Sequence, residues 1–164
     1  MAHLLDANVF IQAKNLHYGF DFCPAFWDWL VVENGAGRVF SVEKVGIELQ
    51  SGADDLANWA AGQGAAFFLA PEAGTLASLV EVSRWVTNQR YQPAAVNTFL
   101  QVADYYLVAQ ALALGFSVVT HEKPENSVQK VKIPNPCIAL GIKCMTPFEM
   151  LRTERARFVL DARR

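Results

Sequence analysis

The sequence has few cysteines, little charge and no long apolar run. Its 164 residues include three cysteines, which are far apart and odd in number. This excludes a small domain held together by disulfides and favours a reducing compartment. No apolar stretch approaches the roughly 18 residues needed to span a bilayer, and no basic segment precedes the first apolar run. We therefore expect a cytoplasmic protein without a membrane span.

The charge is small in total but unevenly distributed. Charged residues make up 18% of the chain and hydrophobic residues 52%, which excludes disorder and provides ample material for a core. The net charge of −2 argues against a general nucleic-acid coat. Residues 1–122 hold five Lys/Arg and twelve Asp/Glu, whereas residues 123–164 hold nine and four. The asymmetry indicates either a basic rim beside an acidic pocket or an ordinary solvated basic helix face.

Short apolar runs alternate with longer helical patterns. Strands are expected at 3–5, 38–41, 66–69, 116–120 and 142–145. Helices are expected at 24–33, 43–50, 54–61, 72–88, 93–100, 103–114, 134–140 and from residue 147 to the C-terminus. This alternation predicts an α/β protein, a three-layer α/β/α sandwich with a central, mostly parallel sheet. We expect one domain over residues 1–152 and a C-terminal helical extension over residues 153–164.

Two of the predicted strands run directly into acidic residues. Asp6 follows the first strand, and Glu122 follows the fourth. Ligands of parallel α/β sheets bind at the carboxyl ends of the strands, which makes both acids candidate site residues. The alternatives are that Asp6 only caps the next helix and that Glu122 is an exposed loop carboxylate.

Two further acids lie on predicted helices. Glu48 is flanked by apolar residues shortly after a strand–helix junction, and Asp104 lies in the first turn of a very apolar helix. Glu48 could instead face solvent, and the helix dipole alone favours an acid at a position such as Asp104.

Together, the four acids suit one pocket. Carboxylates within about 4 Å of one another repel by roughly 4 kcal/mol per pair at an effective dielectric near 20, unless a divalent cation lies among them. Oxygen ligands of this kind select Mg²⁺ or Mn²⁺, and such an ion can activate water against a phosphodiester. The residues therefore predict phosphodiester hydrolysis.

The order of these motifs resembles the PIN domain, the fold of metal-dependent ribonucleases that include many bacterial toxins of toxin–antitoxin pairs. The resemblance covers residues 2 to about 152. It is carried by four blocks, at residues 5–10, 40–49, 102–109 and 118–122, which contain Asp6, Glu48, Asp104 and Glu122 in that order. Three shorter segments, at residues 18–24, 131–135 and 147–151, are similar to a PIN-like branch labelled as a domain of unknown function.

The resemblance implies a role for individual residues. Asp6, Glu48, Asp104 and Glu122 match the four metal-site acids, although many PIN domains have Asp where this chain has Glu122. Asn8 and Thr120 match positions that hydrogen-bond within the site. The implied activity is that of a Mg²⁺- or Mn²⁺-dependent endoribonuclease, with RNA as substrate and a cognate antitoxin protein as partner.

Basic and aromatic residues are candidates for binding partners. Four lysines lie near the predicted site in sequence and could contact RNA phosphates, or form a solvated loop: Lys44, Lys123, Lys130 and Lys132. His121 could act as a general base or be a loop histidine beside the site. The tryptophans and phenylalanines around residues 22–29 are expected mainly in the core, and a few could form an interface with an antitoxin or with a second copy in a homodimer.

Two other function classes compete with the nuclease. Phosphatases of the haloacid-dehalogenase type also have Asp after the first strand, but they need a second acid two residues later, and position 8 is Asn. The remaining alternative is a catalytically weak PIN-like module that binds RNA or protein.

Overall fold

The centre of the protein is a five-stranded sheet in which all strands are parallel, seen in a computed structural model that describes residues 1–161. The strands are β1 (His3–Leu5), β2 (Val39–Val42), β3 (Phe68–Leu69), β4 (Ser117–Val119) and β5 (Cys144–Met145). Helices flank the sheet, so the predicted three-layer α/β/α sandwich is confirmed.

The strand order β3-β2-β1-β4-β5 reverses direction at β1. On one side Leu4 of β1 pairs with Phe40 of β2, and on the other Leu4 and Leu5 pair with Val118 and Val119 of β4. Residues of β1 and β4 are buried, as expected for a sheet that helices cover on both faces. The carboxyl ends of β1 and β4 therefore flank the crevice in which parallel sheets bind ligands.

The helices connect successive strands. They are α1 (Ala7–Gln12), α2 (Pro24–Gly35), α3 (Glu43–Gln50), α4 (Asp55–Gln63), α5 (Ala73–Thr87), α6 (Pro93–Gln101), α7 (Ala103–Leu114), α8 (Pro134–Ala139) and α9 (Pro147–Thr153). Helices α2, α6, α8 and α9 begin with proline, whose fixed φ suits the first helical position. No helix within residues 1–161 is long and apolar enough to cross a membrane.

Helix α7 is packed on more than one side. It contacts β1, β2 and β4 of the sheet and also α3, α5 and α6. Its residues 107–111 are all buried, which explains why its apolar residues are not confined to one face. The helix ends at Gly115, whose φ of 69° is in the left-handed region that glycine adopts without strain. The same packing fixes the first turn of α7, which carries Asp104.

Residues 7–17 are helical, which the sequence did not predict. Helix α1 starts immediately after Asp6 and continues as a π-helical segment, Ala13–His17. The sequence marks the end of β1 at Asp6, but residues 7–17 contain neither glycine nor proline to mark the bounds of a helix.

The expected helical extension over residues 153–164 is wrong for the part of it that the structure describes. Helix α9 ends at Thr153, and Arg155 has a φ of 55°. The N–H of Ala156 then donates to the carbonyl oxygen of Leu151 at 2.9 Å, which closes the end of the helix. Residues 162–164 of the expected extension lie outside the described residues.

The chain after α9 packs back onto the domain. The ring centroid of Phe158 lies 5.8 Å from that of Tyr18 and 6.2 Å from that of Phe26, both in edge-to-face geometry. Edge-to-face pairs at this separation are favourable, and they hold the partly buried ring of Phe158 against the core. The segment to residue 158 is therefore part of the same packed unit.

Candidate active site

Asp6 lies in the crevice at the carboxyl end of β1. Its N–H donates to the carbonyl oxygen of Val119 at 2.9 Å, which ties it to the end of β4. Asp6 occupies the N-cap position of α1, but its side chain makes no capping hydrogen bond. The side chain is only 5% exposed. The helix-cap interpretation therefore does not account for this buried carboxylate.

The hydroxyl of Thr120 connects three parts of the site. It donates to Oδ2 of Asp6 at 2.8 Å, and it accepts from Nδ2 of Asn8 at 3.3 Å and from the N–H of Glu122 at 3.1 Å. A hydroxyl has one donor and two acceptor positions, and all three are used here. Thr120 thus orients the Asp6 carboxylate and positions the backbone of Glu122 relative to it.

Asn8 is held by both ends of its amide. Its Nδ2 donates to Thr120, and its Oδ1 accepts from the N–H of His121 at 3.2 Å. An aspartate here would lose the donor and add a negative charge near Asp6. Asn8 is therefore suited to positioning Thr120, and not to the proton transfer of a haloacid-dehalogenase-type phosphatase.

The ring of His121 packs among other rings. Its centroid lies 5.6 Å from that of His17 and 5.7 Å from that of Phe148. Burial, and to a lesser degree His17, lower the pKa of His121 below its ordinary value, so its ring is neutral near pH 7. The sequence did not single out His17, which lies in the unpredicted π-helical segment, and it included Phe148 only within the 147–151 segment of the resemblance.

Asp104 and Glu48 are brought to the crevice by α7 and α3. The charges of Glu122 and Glu48 both raise the pKa of Asp104, and the charges of Asp104 and Glu122 raise the pKa of Asp6. Asp6, Asp104 and Glu122 are thus close enough to repel one another, and Glu48 is close enough to act on Asp104. They come from β1, α3, α7 and the end of β4.

Burial makes two of these carboxyls unusually weak acids. Burial first, and then Asp104, raise the pKa of Asp6 to about 7. Burial first, and then Glu122 and Glu48, raise the pKa of Asp104 to about 6, although Lys130 acts in the opposite direction. Glu48 is solvent-exposed on α3, yet partial burial of its carboxyl raises its pKa as well. Without a counter-ion, both buried acids are partly protonated near neutral pH.

Glu122 has an oxygen without a partner. Its Oε2 is buried and accepts no hydrogen bond within the described residues. A buried carboxylate oxygen without a donor is costly, and a native structure normally satisfies it with water or an ion. The Oε2 of Glu122 is therefore available to bind a cation.

The chemistry of the acids fits a hard divalent cation. All four donors are carboxylates, one has an unpartnered buried oxygen, and two are destabilised as anions by burial and then by their neighbours. Oxygen ligands of this kind suit Mg²⁺ or Mn²⁺. Within residues 1–161, however, no three His, Cys, Asp or Glu side chains are already grouped closely enough to hold a metal ion. The donor types fit, and binding would have to draw the carboxylates together.

Three of the four predicted lysines lie around the acids. The Nζ of Lys44 is 5.1 Å from the ring centroid of Tyr106, one helical turn before Glu48 on α3. Lys130 is close enough to Asp104 to influence its pKa. Lys123 lines a pocket together with Glu122.

Lys132 differs from the other three lysines. Its Nζ lies 3.8 Å from Oε2 of Glu125, an acid in the same loop. Its charge is therefore partly neutralised within the loop, and of the four it is the weakest candidate for contacting phosphate.

Two pockets adjoin the acids. One, of about 280 Å³, is lined by Asp104 and Lys130 together with residues of α6 and of the 129–131 segment. The other, of about 220 Å³, is lined by Thr120, Glu122 and Lys123 together with residues of α8, β5 and α9. Each pocket thus combines one of the acids with one lysine.

A second polar cluster lies at the opposite end of the strands. Nε2 of His3 donates to Oε1 of Glu154 at 2.7 Å, and Nδ1 lies 2.5 Å from the hydroxyl oxygen of Ser117. The combination resembles a hydrolytic triad, but Ser117 is completely buried. The cluster is therefore structural and anchors the segment after α9 to β1 and β4.

The chain belongs to a family described as a domain of unknown function (DUF4411), whose model matches residues 3–158. Searches of curated proteins and of solved structures find no match. The matched range continues past residue 152, in agreement with the packing of Phe158 onto the core. The relation to PIN domains stays a prediction.

Proposed function

We propose that this protein is a PIN-like, metal-dependent endoribonuclease of the cytoplasm that hydrolyses RNA phosphodiesters. The observation that carries the proposal is the unpartnered, buried Oε2 of Glu122 beside Asp6 and Asp104, with Glu48 near Asp104, in the crevice beside β1 and β4. The burial of Asp6 and Asp104 next to Glu122 destabilises their charged forms, and a bound cation would compensate for this.

The four acids would hold Mg²⁺ or Mn²⁺. When bound, such an ion lowers the pKa of water and offsets charge on a phosphodiester. The protein supplies the geometry: Thr120 orients Asp6, and Asn8 holds Thr120 in turn. These two residues do not react, and they keep the carboxylate fixed in a crevice that partly excludes water.

The lysines supply the complementary charge. A phosphodiester brought next to these carboxylates needs cations at its other oxygens; Lys130 lies near Asp104, Lys123 lines a pocket with Glu122, and Lys44 lies over the ring of Tyr106. Helix α3 and the 123–130 loop thus contribute positive charge to one side of an otherwise acidic crevice. This arrangement favours a polyanionic substrate over a neutral one.

A role as the toxin of a type II toxin–antitoxin pair is the physiological part of the proposal. It rests on the predicted family resemblance, and an antitoxin protein and a homodimer are the corresponding partners. Exposed apolar side chains provide surface for such contacts, among them Phe22 and Val32 at 67% and 64% exposure.

A catalytically weak RNA- or protein-binding module is the second candidate. The observation that favours it is the exposure of Glu48 on α3, since the acid least enclosed by the fold contributes least to holding an ion in place. Such a module would keep the basic rim and lack hydrolysis.

The test is cleavage of a panel of structured and single-stranded RNAs with Mn²⁺ or with EDTA. The Asp104→Asn variant, purified in parallel, controls for contaminating nucleases. We expect cleavage that requires Mn²⁺ and is lost in the variant. Metal-independent cleavage, or equal activity of Asp104→Asn, would contradict the proposal. Absence of both cleavage and Mn²⁺ binding in calorimetry would favour the binding module.

A further inference from the structure

We propose that the pocket beside Asp104 binds one nucleobase of the substrate strand, next to the phosphodiester that is cleaved. The inference rests on the proposed function and concerns the specificity of the same site. Its residues, from α6, the start of α7 and the 129–131 segment, have no part in holding the cation apart from Asp104.

The walls of this pocket are mostly apolar. Ala95, Phe99 and Val131 are buried and form its inner surface, while Val102 remains 40% exposed at its edge. These inner side chains are already shielded from water, and Val102 supplies an exposed apolar edge at the opening. A flat aromatic ligand would cover it, since every base has a π-face that packs on apolar and aromatic side chains.

The rim of the pocket is polar. Thr98, Gln129 and Lys130 line it together with the apolar residues. The hydroxyl and the amide can both donate and accept hydrogen bonds, which matches the mixed donors and acceptors on the edges of a splayed-out base. Lys130 also lies near Asp104, where it can contact the phosphate of the same nucleotide.

Size and position favour a base over a larger ligand. The volume of about 280 Å³ is just below the roughly 300 Å³ at which pockets for drug-sized ligands begin. Because Asp104 itself lines the pocket, a base held there leaves its own phosphate next to the acids. This explains why an apolar cavity adjoins the most negative part of the molecule.

The variant that tests the pocket is Ala94→Phe. Ala94 lines the pocket but is exposed on α6, so a larger side chain fills the cavity without disturbing the core. Asn97→Phe is the matched control, because position 97 is exposed on the same helix and does not line the pocket. Thr98→Val removes the rim hydroxyl and keeps the shape.

The first measurement is the affinity for a fluorescent single-stranded RNA decamer, by anisotropy, with Ca²⁺ in place of Mn²⁺ so that a divalent cation offsets the charge of the acids. Stacking of one base is worth about 1–3 kcal/mol, so we expect Ala94→Phe to weaken binding at least 5-fold. Asn97→Phe should stay within 2-fold of the unaltered protein. Equal affinity of the two variants, or no binding of the decamer by the unaltered protein, would overturn the inference.

The second measurement locates the base. Each of the four ribonucleosides is titrated into isotope-labelled protein in EDTA, and amide shifts are followed by NMR. We expect shifts at Ala95, Phe99 and Val131, weaker with Thr98→Val for some bases, and lost in Ala94→Phe. Shifts confined to another surface would place base binding elsewhere and contradict the proposal.

The cleavage assay separates this inference from the proposed function. If the protein cleaves RNA and Ala94→Phe keeps the same KM and the same preferred cleavage sites, the pocket inference is wrong and the nuclease stands. If nucleosides shift the pocket amides but no RNA is cleaved with Mn²⁺, base binding is supported and hydrolysis is contradicted.

Discussion

Asp6 shows how a functional side chain can oppose the stability of its own fold. Its carboxyl is buried next to Asp104, and its pKa is raised from 3.8 to about 7. A carboxyl whose pKa rises on folding stabilises the protein fully below its unfolded pKa, and this contribution is lost as the pH rises through the folded value. The metal-free protein should therefore lose stability between about pH 4 and pH 7 through this residue.

We predict that Asp6→Asn stabilises the metal-free protein at pH 8. Asparagine is neutral, and its side-chain oxygen can still accept the hydrogen bond from Thr120. The gain should be about 2–4 kcal/mol, or roughly 5 °C or more in Tm, and should vanish near pH 4. Thermal unfolding in EDTA at both pH values measures it.

Asp28→Asn provides the comparison for this experiment, because Asp28 is exposed on α2. It should change Tm very little at either pH. If Asp6→Asn lowered Tm at pH 8, or changed it as little as Asp28→Asn, ionised Asp6 would not destabilise the metal-free protein and the interpretation would be wrong.

Helix α3 carries Glu48 and is seated on the sheet through a glycine. A methyl group at Gly46 would lie 2.8 Å from Cγ of Phe68, a buried residue of β3. The close approach sets the distance of α3 from the sheet edge, and with it the position of Glu48 two residues later.

We therefore predict that Gly46→Ala destabilises the protein, although alanine is the better helix former. Overpacking costs about 1–3 kcal/mol, which exceeds the gain of about 1 kcal/mol in helix propensity. Gly62→Ala on α4 is the control: a methyl group there meets nothing within 4 Å and should stabilise slightly. Urea denaturation of both variants measures the change in the free energy of unfolding. Stabilisation by Gly46→Ala would contradict the prediction and show that α3 can shift away from Phe68.

The segment after α9 is anchored by polar contacts as well as by Phe158. Glu154 accepts from buried His3, and Nε of Arg38 lies 3.7 Å from its other oxygen. We predict that Glu154→Ala costs about 1–3 kcal/mol, because it leaves the Nε2 of His3 buried without a partner. Glu154→Gln keeps an acceptor and should cost less.

Chemical denaturation tests this anchor, with Glu81→Ala as an exposed reference on α5. The reference should stay within about 0.5 kcal/mol of the unaltered protein. Equal stability of Glu154→Ala and Glu81→Ala would mean that Phe158 alone holds the segment.

The sequence did not predict the π-helical segment or the chain after Thr153 correctly, and both failures have the same physical cause. Strand and helix patterns were informative where apolar periodicity and proline or glycine marked the boundaries, as for α7, predicted and observed at Ala103–Leu114. The π-helical segment and the chain after Thr153 carry no such local marks. Their conformations depend on contacts with residues far away in sequence, such as Phe158 with Tyr18.

The candidate site also has a part that the sequence predicted and a part that it did not. The strand-end acids could be predicted because the carboxyl edge of a parallel sheet follows from topology. The hydrogen bonds of Thr120 to Asp6, Asn8 and Glu122 depend on the register between β1 and β4, which no pattern in the sequence specifies. The pocket beside Asp104 was not predicted at all, since its apolar walls look like ordinary core residues.

In the whole molecule, four acids from distant parts of the chain lie on the side of the sheet where the strand order reverses: Asp6, Glu48, Asp104 and Glu122. Repulsion among them is relieved if a divalent cation binds, and ligands of a metal must be deprotonated to bind it. Because the metal-free pKa values of Asp104 and Asp6 are raised to about 6 and about 7, protons compete with the cation below neutral pH. Affinity for Mn²⁺ should therefore rise between pH 5 and pH 8.

We predict that millimolar Mn²⁺ raises Tm, and that the increase is larger at pH 8 than at pH 5. At a concentration 100 times its Kd, a ligand that binds only the folded state stabilises it by about 2.7 kcal/mol, which corresponds to several degrees. Asp104→Asn should abolish most of this increase at pH 8, whereas Asp28→Asn should retain it. Equal shifts for the two variants would show that Mn²⁺ binds elsewhere, and a larger shift at pH 5 would contradict carboxylate ligation.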